Sequence, residues 1–164
     1  MESAVQRSGV PFAERPERLF CDLPPETTRA FDALKTVAAC PRGAVLFREG
    51  HPARGIFVLC DGRAKLSVSS ESGKRIILRI AGPGEILGLS AALAGSPHEV
   101  TAELLDDAHV AAVRRKELLR FLHEHREACL QVVNLLSQDL HLAYDRVRSL
   151  GLGRSRRPRA PRVQ

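Results

Sequence analysis

The spacing of apolar and polar positions divides the chain into a glycine-rich middle part and a helical C-terminal part. Between about residue 40 and residue 113 the apolar segments are short, and glycines separate them. Short apolar runs bounded by turn residues are typical of β-strands. Asp61-Gly62 and Ser72-Gly73 have the composition of hairpin turns. The pattern predicts strands at 44–47, 56–59, 64–68, 76–80, 100–104 and 108–113.

Helices are predicted on both sides of these strands. The first begins after Pro24-Pro25, and a short helix over 89–94 interrupts the strands. Residues 116–122 and about 126–150 form two more, because turn signals stop there. The apolar stripe of the first helix consists of Ala30, Phe31, Leu34, Val37 and Ala38. This pattern favours an α+β fold: a mainly-β double-stranded β-helix, or jelly roll, with flanking helices and a long C-terminal dimerisation helix.

The long C-terminal helix carries an apolar stripe with heptad spacing, here called the seam. The seam consists of Cys129, Val133, Leu136, Leu140, Ala143, Val147 and Leu150. Such spacing over three repeats is typical of a two-stranded coiled coil. A second stripe, Val132, Leu135 and Leu142, is expected to pack on the β-strands. One helix packed against the core is the alternative interpretation, but two adjacent stripes favour two partners and therefore a homodimer.

The positive charge of the chain is concentrated near its C-terminus. The chain has 164 residues and a formal charge of +6, but 153–164 contain five arginines and no acid. The other residues are therefore nearly neutral, and the basic tail at 153–164 is expected to be disordered, like the polar arm at 1–18. The absence of Trp and the single Tyr144 argue against a stacking surface for single-stranded nucleic acid.

The cysteines and the hydropathy bear on compartment and cofactors. No apolar stretch approaches the roughly 18 residues of a membrane span, and the N-terminus does not look like a signal peptide. We therefore expect a cytoplasmic protein without membrane association. Cys21, Cys40, Cys60 and Cys129 are too sparse for a disulfide scaffold, and no Cys-x2-Cys occurs. No iron–sulfur cluster is expected.

Three glycine-containing segments carry a resemblance to a known family: 43–50 (GAVLFREG), 55–66 (GIFVLCDGRAKL) and 82–88 (GPGEILG). With the long helix, they make the chain similar to the sensory half of the CRP/FNR transcription regulators. The resemblance implies a cyclic-nucleotide-binding-type β-roll over 19–123 and a dimerisation helix over 124–152. In the family a C-terminal winged helix-turn-helix binds DNA. No recognition helix fits residues 153–164, so we interpret the chain as a homodimeric sensor that lacks its DNA-binding half.

The resemblance also implies an effector site between the β-roll and the long helix. Its candidate residues are Gly88, Leu89, Ser90, His98, Glu99, Val100 and Tyr144. In cyclic-nucleotide binders a Glu follows the glycine and contacts the ribose, and an Arg about ten residues later contacts the phosphate. Here Leu89 occupies the Glu position, and His98 or Glu99 the Arg position. Tyr144 falls near the polar pair that contacts the purine.

The local charge disfavours a cyclic nucleotide. No Lys or Arg lies between Ile80 and Val113, whereas this segment contains five carboxylates. A buried phosphate needs positive charge or many donors. Only His98 and His109 are conditional cations in the segment. The cations left open on or beside other strands are Arg63, Lys65, Arg75 and Arg79. We therefore expect a small-molecule or redox signal rather than cyclic AMP.

Two other functions stay open. One is an interaction-only protein that pairs with full-length regulators, and the other is a cupin-like metalloenzyme. His123 and His125 are two positions apart, so on a helix their side chains diverge and do not form a metal site. No sequence motif of a catalytic site occurs. The sequence therefore predicts no catalytic and no metal-ligating residue.

Overall fold

The computed structural model describes residues 23–152. The predicted arm at 1–18, Cys21 and the tail at 153–164 lie outside these residues. The elements in chain order are α1 (Pro25–Asp32), β1 (Thr36–Cys40), β2 (Val45–Phe47), β3 (Gly55–Leu59), β4 (Ala64–Ser69), β5 (Arg75–Ala81), β6 (Ile86–Leu87), α2 (Leu89–Ala94), β7 (Thr101–Leu104), β8 (Ala108–Arg114), α3 (Arg115–Glu124) and α4 (Arg126–Leu152). No helix in this part of the chain is both long and apolar enough to cross a membrane.

The strands form two four-stranded antiparallel sheets that pack face to face. One sheet has the order β1-β8-β3-β6, and the other has the order β2-β7-β4-β5. An inner core lies between the sheets and includes Leu59, Leu66 and Val110. This β-sandwich with flanking helices confirms the predicted fold class.

The two central strands of the first sheet, β3 and β8, are covered on both faces. Alternate residues of β8 belong to different cores: Val110 to the inner core, and Ala111 and Val113 to an outer core beneath the helices. The outer core also contains Phe31 of α1 and Phe121 of α3, whose ring centroids are 5.3 Å apart. A strand with two covered faces needs apolar residues at successive positions, which is why β3 and β8 appear as continuous apolar runs in the sequence.

All six predicted strands are present, but the prediction missed β1 and β6. Val37 and Ala38 lie on β1 and do not extend the stripe of α1, which ends at Asp32. Their spacing from Phe31 fits a helix, but the pairing of β1 with β8 places them in a strand. The two residues of β6 are defined by pairing with β3, which the local sequence does not reveal.

One of the two predicted hairpins is correct. The Ser72-Gly73 turn joins β4 and β5, which pair along their whole length. Asp61-Gly62 instead joins β3 to β4, which lie in different sheets. Asp106-Asp107, which also resembles a hairpin turn, likewise connects β7 to β8 across the sandwich. Turn composition indicates where the chain reverses but not which strands then pair.

The helix α4 packs on the outer core through its N-terminal half only. Ala128 and Val132 are buried, and Leu135 is half-buried against the outer core. A hydrogen bond of 2.8 Å from the Thr27 hydroxyl to the Glu127 carboxylate ties α1 to the start of α4. Every residue from 137 to 151 is exposed, including Leu142 at 60%. Leu142 was expected to pack on the strands, but it lies outside the outer core and lines only an open surface pocket with Arg79 and Ile86.

Candidate functional site

A cavity of about 110 Å³ lies where β6 and α2 face α4, and its walls contain most of the candidate effector residues. Six of the seven line it: Gly88, Leu89, Ser90, His98, Glu99 and Val100. The structure does not bring Tyr144 there. Tyr144 follows Asp139, a cavity residue, by five positions on α4, so it points to a different side of the helix and is 57% exposed.

Gly88 allows two walls of this cavity to approach each other. It has a φ of 81° immediately before α2, a left-handed conformation that L side chains rarely adopt. A Cβ atom at this position would lie 3.1 Å from Cε1 of His98 and 3.4 Å from Cε1 of Phe47. Glycine is therefore required both by the backbone and by the ring of His98.

His98 is the buried polar side chain of the cavity. Only 5% of the residue is exposed, and its ring stacks on Phe47 with centroids 4.0 Å apart. The Nδ1 atom is buried and has no hydrogen-bond partner. Burial lowers the pKa of His98, with the Glu99 carboxylate opposing the shift and His51 adding to it. His98 is therefore neutral at pH 7 and cannot replace the positive charge of an arginine.

Arg79 is the cation that the fold brings to the cavity. It lines the wall together with Asp139 and Glu99. Its guanidinium already lies 2.6 Å from the Glu85 carboxylate, which also accepts the Gly82 backbone N–H. Partial burial raises the pKa of Asp139, against the attraction of Arg79 and with a further contribution from Glu85. Arg79 is thus paired with Glu85 and attracted by Asp139, while Glu99 adds a further carboxylate to the cavity wall.

The other cations that the sequence left open point elsewhere. Lys65 and Arg75 both lie near the Glu103 carboxylate, at 3.4 and 3.8 Å. Arg63 forms an exposed ion pair with Asp106 at 2.9 Å. His109, the second conditional cation, has its Nδ1 atom 2.8 Å from the Asp61 carboxylate and does not line the cavity.

The sequence did not identify Phe47, Leu135 and Asp139 as residues of the cavity, and it left open whether Arg79 contributes a positive charge there. One signal was available for Asp139: at heptad spacing it interrupts the stripe of Val132, Leu135 and Leu142 with a carboxylate. A charged residue on an otherwise apolar helix face that packs on a core usually has a specific partner. Nothing local marks Phe47, because its proximity to His98 depends on the packing of separate strands.

The residues considered for metals and redox chemistry do not cluster. Within residues 23–152 no group of three or more His, Cys, Asp or Glu side chains is placed to hold a metal ion. His125 lies at the junction of α3 and α4, where its Nδ1 is 2.9 Å from the Phe121 carbonyl oxygen. Cys40 and Cys60 are half-buried and Cys129 is exposed. Burial raises the pKa of the Cys60 thiol, which keeps it protonated and unreactive.

Comparison with known sequences gives a consistent set of relatives. Residues 38–125 match the cyclic nucleotide-binding domain family. The CRP-like cAMP-activated global transcriptional regulator of Mycobacterium tuberculosis is 23% identical over 100 residues, which cover 61% of this chain and 45% of the relative. The transcriptional activatory protein AadR of Rhodopseudomonas palustris is 28% identical over 106 residues, or 65% of this chain and 43% of AadR. The chain spans less than half the length of these relatives.

One similar protein belongs to a different class. Patatin-like phospholipase domain-containing protein 6 of Homo sapiens is 24% identical over 102 residues, which cover 62% of this chain but only 7% of that protein.

Among solved structures, the Thermus thermophilus catabolite activator protein superposes with a TM-score of 0.75 at 22% identity, covering 81% of this chain and 62% of that chain. The two chains therefore share a fold, including the flanking helices and the long C-terminal helix.

Proposed function

Because the chain belongs to the cyclic nucleotide-binding domain family and is related to CRP/FNR-type regulators, we propose that it is the effector-sensing, dimerising domain of such a regulator. Its effector is a small molecule or redox signal other than cyclic AMP. This differs from the M. tuberculosis relative, which is named as cAMP-activated. The charge around the cavity is the observation that carries the proposal.

A cyclic nucleotide would place a phosphate in a cavity with unfavourable electrostatics. Arg79 is held by Glu85, while Glu99 and Asp139 line the same walls. Transfer of a phosphate from water to this site needs charge-assisted hydrogen bonds to offset the lost hydration. The neutral His98 and the apolar Leu89 do not supply them. A neutral or cationic ligand meets no such penalty.

The seam supports dimerisation. Val133, Leu140, Val147 and Leu150 are 58%, 52%, 68% and 73% exposed in the single chain, and Cys129 and Ala143 are also exposed. Leu136 is half-buried because it also touches the outer core. An apolar stripe of this length on a solvent-facing helix is stabilised when a second copy covers it.

The edge strand β5 supports the same arrangement. Its apolar residues Ile76, Ile77, Leu78 and Ile80 are each 43% to 57% exposed, on both faces of the strand. The Arg146 guanidinium donates a hydrogen bond of 2.8 Å to the Leu78 carbonyl, so β5 lies close to the exposed part of α4. A partner helix on the seam would therefore also approach the apolar side chains of β5.

The position of the cavity suggests how a signal reaches the dimer. Leu135 and Asp139 line the cavity, while Leu136 and Leu140 belong to the seam. Each cavity residue is thus followed directly by a seam residue on α4. A ligand that moves the helix relative to α2 therefore also moves the seam. A ligand that binds one helix position more tightly than another shifts the population of dimer arrangements.

Two measurements test the proposal. Isothermal titration calorimetry with cyclic AMP and cyclic GMP should give dissociation constants weaker than about 10 μM. Sedimentation velocity should give twice the mass of the chain at micromolar concentration. Tighter nucleotide binding would overturn the choice of effector, and a monomer would overturn the dimer. Mixing with a full-length regulator and finding loss of its DNA binding would instead favour the interaction-only function.

A further inference from the structure

A second, larger cleft opens between the two sheets at the end opposite the connections at Asp61 and Asp107. Its volume is about 510 Å³, within the range of small-molecule sites. Residues of β2, β3 and β8 line it, together with the segment that follows β2.

The rim of the cleft is cationic. Arg48, Arg54 and Arg114 line it with His51, and among the described lining residues there is no carboxylate. Gly55 of β3 pairs with Arg114 of β8. The Arg115 backbone N–H donates a hydrogen bond of 2.8 Å to the Arg54 carbonyl oxygen. These contacts hold two of the arginines on adjacent strand ends, where their like charges repel one another.

The rim arginines have no internal counterion in the described part of the chain. Within residues 23–152 no ion pair involves Arg48, Arg54 or Arg114. The nearest acid in sequence, Glu49, is occupied elsewhere, because its carboxylate accepts the Ser69 backbone N–H at 2.9 Å. An anion between the arginines would relieve their repulsion and accept forked hydrogen bonds.

The floor of the cleft is aromatic. Phe47 and Phe57 both line it, with ring centroids 5.9 Å apart. His98 also lines it, and the buried Nδ1 of that residue has no hydrogen-bond partner. The site therefore combines a flat apolar surface, an unused polar atom and a cationic rim. This set suits an amphipathic ligand and not an inorganic ion.

We propose that this cleft binds a small organic anion, with an apolar ring or chain against Phe47 and Phe57 and an anionic head group among Arg48, Arg54 and Arg114. Carboxylates and phosphate monoesters share this chemistry. The cleft shares the side chains of Phe47 and His98 with the cavity beside α4, but the arginines of its rim do not line that cavity. The proposal therefore does not depend on the identity of the effector or on the dimer.

Two-dimensional ¹H–¹⁵N NMR titration tests the proposal with three probes: benzoate, phenyl phosphate and the neutral benzyl alcohol. Benzoate or phenyl phosphate should give saturable shifts at the backbone amides of Arg48, Arg54 and Arg114. The tighter of the two identifies the head group. Benzyl alcohol should bind at least tenfold more weakly, since it lacks the charge that the arginines recognise.

Variants separate recognition from general charge attraction. Arg54→Gln and Arg48→Gln should each weaken binding of the anionic probe about tenfold, the size of one lost charge-assisted hydrogen bond. Arg120→Gln, an equal charge change at an exposed position of α3, should leave binding unchanged. The proposal would be overturned if Arg120→Gln weakened binding equally or if benzyl alcohol bound with equal affinity. It would also be overturned if the shifts were confined to Ser90 and Asp139, or if no shift were saturable.

Discussion

The imidazole of His98 lies nearly parallel to the ring of Phe47, with centroids 4.0 Å apart and planes inclined by 15°. Both rings line the cavity beside α4 and the cleft between the sheets. The two sites therefore share one wall, made of two stacked side chains. A substitution that displaces this pair should alter both sites together.

Gly88→Ala should displace the pair. The new Cβ would meet Cε1 of His98 at 3.1 Å in a left-handed backbone conformation, so we expect a loss of about 2–4 kcal/mol in the free energy of unfolding. Gly73→Ala is the matched control. Gly73 has the same φ of 81° but nothing within 4 Å of its added Cβ, so it should cost only about 1–2 kcal/mol. Urea unfolding of both variants at one protein concentration measures the difference. Equal losses in the free energy of unfolding would show that the His98 ring moves aside at no measurable cost.

Asp139→Asn should stabilise the chain at neutral pH. The folded state raises the pKa of this carboxyl, so it binds the proton more tightly than the unfolded state does. The contribution of Asp139 to stability is therefore present at acid pH and is lost as the pH rises through its folded pKa. Because the side chain is only partly withdrawn from solvent, water screens its charge. The gain should therefore stay below about 1 kcal/mol at pH 7 and shrink at acid pH.

Urea midpoints measured from pH 3 to pH 8 test this prediction. Asp145→Asn, at an exposed position further along the same helix, serves as the control and should show a smaller effect. A wild type that gains stability over Asp139→Asn as the pH rises would contradict the assignment of burial as the dominant cause.

Leu140→Lys should dissociate the dimer. Leu140 is 52% exposed in the single chain, so the change does not disturb the core, but it would bury a charge in the seam. We expect a cost of about 3 kcal/mol or more, which raises the dimer dissociation constant at least 100-fold. Sedimentation velocity measures this change. Asn134→Lys adds the same charge to an exposed position of α4 outside the seam and should remain dimeric. An intact Leu140→Lys dimer would place the interface elsewhere.

Glu99→Arg should give the cavity a phosphate partner. The change removes a carboxylate from the wall and adds a cation on the same segment as His98. One charge-assisted hydrogen bond contributes about 1.5–3 kcal/mol, so affinity for cyclic AMP should rise about tenfold or more. Glu71→Arg makes the same charge change in the exposed β4–β5 turn. Calorimetry should show no gain for Glu71→Arg; an equal gain in both variants would point to general electrostatic attraction.

The sequence by itself was sufficient for the elements with a strong local signal. The short apolar runs predicted six strands, and Gly88 predicted the start of α2. The spacing from Cys129 to Leu150 predicted the seam on α4, which is exposed except at the half-buried Leu136. The resemblance to the CRP/FNR regulators, carried by the glycine-containing segments, selected the six residues that line the cavity, at 88–90 and 98–100.

Only the tertiary structure decided what depends on contacts between distant residues. Pairing with β8 made Val37 part of a strand, and the separation of β3 from β4 turned a presumed hairpin into a connection between sheets. Register on β5 brought Arg79 to Glu85 and Asp139. Pairing of β3 with β8 brought Arg114, which is distant in sequence, to the same cleft as Arg48 and Arg54. Local propensity acts over a few neighbouring residues, whereas charge pairing and cavity shape depend on which elements pack together.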